Sequence, residues 1–158
     1  MYLAGLRRLV GRQKLLSVGV RAIIRDGVGD ILLQRRGDFG TWGLPAGAME
    51  LDESIFEALV REVREETGLR VVRATPFGVY SDPKYSVTYP NGDQIQPVVI
   101  AFLAQEWTGE PRADGEESLA LAFFNPDRLP PDDRMHQPHL RTIRDFARRG
   151  ATGPFIVD

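Results

Sequence analysis

The residues that first suggest chemistry are three glutamates, Glu62, Glu65 and Glu66. They end the stretch Gly47-Ala-Met-Glu-Leu-Asp-Glu53-Ser-Ile-Phe-Glu-Ala-Leu-Val-Arg61-Glu62-Val63-Arg-Glu65-Glu66-Thr-Gly68-Leu69, which holds seven acids between Glu50 and Glu66. On a helix the three glutamates stand at i, i+3 and i+4, within about 100° of its surface. Like charges at that spacing repel by about 0.2–0.5 kcal/mol per pair, so stability does not explain them. An apolar stripe runs through Ile55, Phe56, Leu59, Val60 and Val63, and Glu62 and Glu66 border it beside Ile55. Carboxylates at the margin of a buried face are partly desolvated and need a cation to stay charged. An oxygen-rich, thiol-free set of this kind suits Mg²⁺ or Mn²⁺. The competing explanation is a solvated helix laced by Arg61–Glu65 and Arg61–Glu57 ion pairs.

The elements that must position these acids follow from the hydrophobic pattern. The helix is expected from Asp52 or Glu53 to Thr67, with Gly68 as its C-terminal cap. Before it, alternation predicts a strand over Leu15 to Arg25, a turn at Asp26 to Asp30 and a returning strand over Ile31 to Arg36. The glycine-rich segment from Gly37 to Met49 reads as loop. After the helix, strands are expected over Leu69 to Val79, Tyr85 to Tyr89 and Gln94 to Glu106, the last two joined by a hairpin at Asn91-Gly92. Leu119 to Phe124 is a further strand, and Gln137 to Arg149 is a closing helix. The first thirteen residues carry Tyr2, Leu3, Leu6, Leu9 and Val10 near helical spacing. They predict a short amphipathic helix that packs on the domain, with a homodimer contact as the alternative. This is the pattern of one α/β domain with a mixed or largely antiparallel sheet. Its expected divisions are an N-terminal segment at 1–14, the domain at 15–150 and a C-terminal tail at 151–158.

Composition narrows the partners. The chain of 158 residues is 42% hydrophobic and 27% charged, with 20 basic against 22 acidic side chains and a net charge of −2. Such a balance attracts no polyanion by itself, which argues against long nucleic acid. The lack of cysteine excludes disulfides, a thiol nucleophile and a thiolate metal site. Arg7, Arg8, Arg12 and Lys14 interrupt the N-terminal apolar residues, so the start does not read as a signal peptide. No apolar run approaches the ~20 residues of a membrane span. A cytoplasmic protein is the expectation.

The spacing of Gly47, Glu53, Arg61, Glu62, Val63, Glu65, Glu66, Gly68 and Leu69 resembles the signature box of the Nudix (MutT-like) hydrolase superfamily at every specified position. Trp42-Gly43-Leu44-Pro45-Ala46 is similar to the family's approach to that box, departing in Ala46, where a second glycine is usual. The resemblance implies a Nudix-type α/β/α sandwich with a mixed β-sheet and a loop–helix–loop catalytic motif. It implies divalent-metal-dependent hydrolysis of a nucleoside diphosphate linked to another group, by attack of metal-activated water on phosphorus. Carried over by position, Glu62, Glu65 and Glu66 would hold Mg²⁺ or Mn²⁺, with the Gly47 carbonyl a further ligand. Arg61 and Glu53 would pair to orient the helix.

The resemblance does not single out the general base. Glu62 and Glu65 compete with Glu116 and Glu117 in the loop before Leu119. Arg36 and Trp42 are candidates for substrate contact, and Phe39, Tyr80, Tyr85 and Tyr89 are further aromatic candidates for stacking on a base. His136 and His139 are not expected to be metal ligands. Nucleoside triphosphates, nucleotide sugars, ADP-ribose and dinucleoside polyphosphates all fit the box. Two other functions compete: a non-catalytic domain sensing a nucleotide sugar or ADP-ribose, and a 5′-end RNA pyrophosphohydrolase.

Overall fold

In a computed structural model, which describes residues 2–158, nine strands and three α-helices form an α/β sandwich among the described residues. Met1, part of the expected N-terminal helix, lies outside them. Strand β1 (Leu15–Ile23) runs parallel to the long β7 (Gln94–Thr108) and antiparallel to the short β4 (Ala46–Ala48). Beyond β7 lie β5 (Arg70–Tyr80), antiparallel to it, and β9 (Ile156–Val157), parallel to β5. β6 (Val87–Thr88) also pairs with β7 through the expected Asn91-Gly92 turn. A second, antiparallel sheet has the order β3 (Trp42–Gly43), β2 (Ile31–Arg36), β8 (Ser118–Phe124).

Two of these features depart from the pattern. The turn at Asp26 does return the chain, with the Asp26 carboxylate accepting three backbone N–H groups. β2 then leaves β1 after a single bridge at Arg25–Ile31 and joins β8 in the other sheet. In the expected strand over Tyr85 to Tyr89, Pro83–Tyr85 form a 3₁₀ turn and only Val87–Thr88 remain extended. Proline at the head of that turn and the Asp82 side chain bonded to the Lys84 N–H favour the turn over a ladder.

The alternation of β1 divides the core in two. Val20, Ala22 and Ile24 pack with Leu32, Ala58, Leu59 and Val63 beneath helix α2 (Ile55–Thr67). Ile23, Leu33, Leu44, Phe77 and Leu103 pack with Leu140, Ile143 and Phe146 of helix α3 (Gln137–Arg149) on the opposite face. The expected loop before α2 contributes β3 and β4, too short and glycine-rich to register as strands in sequence. Helix α1 (Tyr2–Val10) has no buried residue. It is tethered by Arg7, whose guanidinium donates to the carbonyls of Gln13 and Gln94 and lies 3.6 Å from Asp93. The segment expected as a tail adds β9 to the sheet edge. No helix among the described residues is long and apolar enough to cross a membrane.

Candidate active site

Helix α2 carries the acids, and local chemistry fixes where it starts and stops. Ser54 caps it. Its Oγ accepts from the Glu57 N–H at 3.3 Å, and Glu57 accepts in return from the Ser54 N–H at 2.7 Å. This box takes up Glu57, leaving it out of the ion-pair ladder that a solvated helix would use. At the other end Gly68 adopts φ 73° and donates to the Arg64 carbonyl at 2.9 Å. The buried face consists of Ala58, Leu59, Glu62, Val63, Glu66 and Thr67, while Phe56 is 38% exposed. Glu62 and Glu66 therefore sit within the buried face, not merely along its border.

Burial sets their electrostatics. Glu66 is 4% exposed, and desolvation pushes its pKa up to about 8, although the Ala46 N–H donates to its Oε2 at 2.8 Å. Only the backbone of residue 46 makes that bond, so alanine serves there as well as glycine. Burial also raises Glu62, against the pull of Arg61, whose Nη1 donates to it at 2.8 Å. Gly47 allows this placement. A Cβ on it would lie 2.0 Å from the Glu62 Cδ and 2.2 Å from each carboxylate oxygen. The Gly47 carbonyl oxygen in turn lies 2.7 Å from where a Cβ on Gly19 would stand, so a second glycine leaves room for it.

Arg61 joins the pieces. Nε and Nη2 donate to the two oxygens of Glu53 at 3.0 and 2.6 Å, and Nη2 also donates to the Ala48 carbonyl at 3.0 Å. Glu53 accepts as well from the Glu50 N–H at 2.6 Å. One fork thus ties the helix to the loop before it and to β4. The hydrogen bond to Arg61 is the chief reason that the Glu53 carboxyl is held below its ordinary range.

Glu117 completes the cluster. Oxygens of Glu62, Glu66 and Glu117 all lie within 4.8 Å of one another. The loop is held against the end of β2 by the Gly37 N–H, which donates to the Glu117 carbonyl at 2.9 Å. A Cβ on Gly37 would meet the Glu116 carbonyl oxygen at 1.9 Å, so only glycine permits the approach. Asp114 shapes the turn, accepting from the N–H groups of Glu116 and Ser118 at 2.7 and 3.0 Å.

The trio opens into a cleft of about 760 Å³ that Arg36, Gly47, Arg61, Glu65, Tyr89 and Glu116 also line. Glu65 lies outside the trio, its Oε2 accepting from Arg61 Nη1 at 3.2 Å; in this arrangement Glu117 takes the third place. Arg36 is bound to Asp38 through Nε at 2.9 Å and Nη2 at 2.6 Å. Trp42 packs edge-on against Phe124 at 5.0 Å beside the core and does not line the cleft. Tyr80 is also a core residue, its hydroxyl 3.3 Å from Asp145. Phe39 lies against Tyr89 and His136, at 5.7 and 5.1 Å. His136 and His139 are buried at the start of α3, outside the acid trio.

Sequence reasoning named Glu117 as a base and not as a partner of Glu62 and Glu66. The signal present was Gly37, which the loop reading left without a role. Asp38, the partner of Arg36, was also passed over, although it stands two residues away.

Comparison with known proteins agrees with this geometry. A family model described as the NUDIX domain matches residues 15–146. The chain is 34% identical over 140 residues to a MutT-like protein of Streptomyces ambofaciens, an alignment covering 89% of this chain and 81% of that one. It is 33% identical over 134 residues to an ADP-ribose pyrophosphatase of Methanocaldococcus jannaschii, covering 84% and 73%. Among solved structures, a MutT NUDIX hydrolase from Burkholderia pseudomallei aligns with a TM-score of 0.67 at 30% identity, over 82% of this chain and 96% of that one. With the family's box complete and folded around one acidic cleft, this chain belongs to the Nudix family and is a Nudix hydrolase.

Proposed function

We propose that this hydrolase cleaves the diphosphate linkage of a nucleoside diphosphate joined to a further group, with Mg²⁺ or Mn²⁺ held by Glu62, Glu66 and Glu117. The observation that carries this is the convergence of three carboxylates within 4.8 Å, two of them buried. Three such carboxylates repel one another and burial drives Glu62 and Glu66 toward the neutral form, so a cation among them would favour the charged state. The donors are hard oxygens with no thiolate, which suits these ions over softer metals. When bound, the cation supplies Lewis-acid activation of water and neutralises charge developing on the diphosphate.

The chain's own residues do the rest. The Arg61–Glu53 fork holds the helix and the Ala48 backbone in fixed relation, so Glu62 and Glu66 keep their places without reorganisation. Glu116, which lines the cleft beside the trio, takes the proton from the attacking water; Glu65, tied to Arg61, is the poorer base. Arg36 faces the same cleft and is the cation placed to meet substrate phosphate. The chain has no cysteine, and water is the nucleophile in this reading.

The test is phosphate release from a nucleotide panel with and without each divalent ion, for the wild type and Glu66→Gln. Metal-dependent turnover that falls by at least ~10²-fold in the folded variant is the expected result. Tight nucleotide binding with no turnover under either metal would replace the enzyme reading with a sensing role.

A further inference from the structure

Strand β2 leads from the core to the acid cleft. Its alternation sets Leu32, Gln34 and Arg36 in one row, with Leu32 packed beneath α2 and Arg36 lining the cleft. Between them Gln34 is fully buried, opposite Leu121 of β8, which packs on the same apolar cluster as Leu32. An aliphatic side chain would fill that place without carrying polar groups into it, so packing does not explain the glutamine.

The two ends of its amide have different surroundings. Oε1 accepts from the hydroxyl of Ser118, which is also fully buried. With the oxygen committed there, the Nε2 donors are left for Glu66. Burial raises the Glu66 pKa, and the Gln34 amide works against it as a hydrogen-bond donor, as does the Ala46 N–H. Nε2 nevertheless closes no hydrogen bond in the structure. A buried donor left open is costly, and this one stands beside an acceptor that becomes stronger when it carries its full charge.

Ser118 ties the amide to the loop of Glu116 and Glu117. It follows Glu117 directly, and its N–H donates to Asp114 at 3.0 Å. The contacts therefore run from Asp114 through Ser118 and Gln34 toward Glu66, joining that loop to the helix that carries Glu62 and Glu66. They also fix the sense of the amide. Were it reversed, its oxygen would face a carboxylate.

We propose that Gln34 is a positioning residue for the metal-binding acids, its amide donating to Glu66 while Ser118 holds its carbonyl, so that Glu66 and the Glu117 loop keep one relation when a divalent cation binds. This rests on the metal-dependent reading above and deepens it. The experiment measures the Mn²⁺ Kd of the substrate-free proteins by electron paramagnetic resonance, beside melting temperatures in EDTA. Gln34→Met keeps the length of the side chain and removes both polar ends. Ser118→Ala frees the amide to turn. The double variant and Glu66→Gln complete the set.

Gln34→Met should raise the Mn²⁺ Kd by roughly tenfold or more, with a Tm in EDTA at or above that of the wild type. Ser118→Ala should raise the Kd by less, and the double variant by no more than Gln34→Met alone, because the serine acts through the amide. An unchanged Kd in folded Gln34→Met overturns the proposal, and a lowered Tm beside it would mark Gln34 as a core residue only. Additive effects of the two substitutions overturn it as well. If Gln34→Met fails to fold, Ser118→Ala decides, and a wild-type Kd there refutes the inference. Glu66→Gln separates the two readings. If it weakens Mn²⁺ binding and Gln34→Met does not, the metal site stands and the role of Gln34 falls. If Glu66→Gln leaves the Kd unchanged, the metal assignment falls and takes this inference with it.

Discussion

Gly47→Ala separates the geometry of the acid trio from the stability of the fold. A Cβ at that position would lie 2.0 Å from the Glu62 Cδ, and ordinary contact begins near 3.4 Å, so the carboxylate must retreat by about 1.4 Å. Glu62 can swing, since the overlap is with the end of a side chain and not with backbone. Its retreat strains the 2.8 Å contact with Arg61 and carries the carboxylate away from Glu66 and Glu117. Losing a partly exposed ion pair costs about 0.5–1 kcal/mol, a fall of roughly 1–4 °C in Tm for a chain of this length. Misplacing a catalytic group by about an ångström costs on the order of 10²-fold in rate. Phosphate release at saturating nucleotide, run beside thermal melting, should therefore show a small loss of stability and a large loss of kcat. Arg64→Gln, an exposed change on the same helix, serves as the control and should alter neither. A folded Gly47→Ala protein with wild-type kcat would refute the claim that Glu62 works from the position described here.

Other outcomes follow from the same contacts. Ser54→Ala removes the cap of α2 and should lower stability by about 0.5–2 kcal/mol in denaturant titration, with turnover well below the melting temperature near normal. Glu53→Gln and Arg61→Met, made singly and together, should be strongly non-additive in kcat, because Arg61→Met by itself already removes both bonds that tie Glu53 to the helix; additive losses would show that the fork does not act as a unit. His136 is buried and beside Arg36 and Arg21, which drops its pKa from 6.5 to about 3. The unfolded chain therefore binds the extra proton between those values, and the stability due to neutral His136 is lost as pH falls below 6.5. Glu66 takes up a proton in the opposite sense, so the comparison to make is wild type against His136→Gln. By pH 5.5 the variant should gain about 1.4 kcal/mol relative to the wild type in urea titrations, and a pH-independent gap would contradict the assignment.

What the sequence determined by itself is what short-range geometry governs. Helix α2 lies where the spacing of Leu59, Val63 and Gly68 put it, but it starts at Ile55 rather than at the expected Asp52 or Glu53, because Ser54 and Glu57 satisfy each other's backbone three residues apart. The placement of Glu62, Glu65 and Glu66 on one helix surface was legible for the same reason, since their angles follow from its pitch alone, whereas the full box was legible by its resemblance to a family signature. Helix α3 and the Asn91-Gly92 turn were legible on similarly local grounds. Tertiary structure decided which acids meet. Glu117 reaches Glu62 across more than fifty residues because β8 pairs with β2 and the loop rests on the bare backbone of Gly37. No local pattern records that contact, and the helix-based expectation favoured Glu65, which instead turns to Arg61. The same holds for Trp42, whose place beside Phe124 depends on β3 joining the second sheet. It holds for Arg21 too: alternation shows only that one strand face carries a charge, and the packing of α3 against that face decides that the charge is buried with its Nη1 on Thr142.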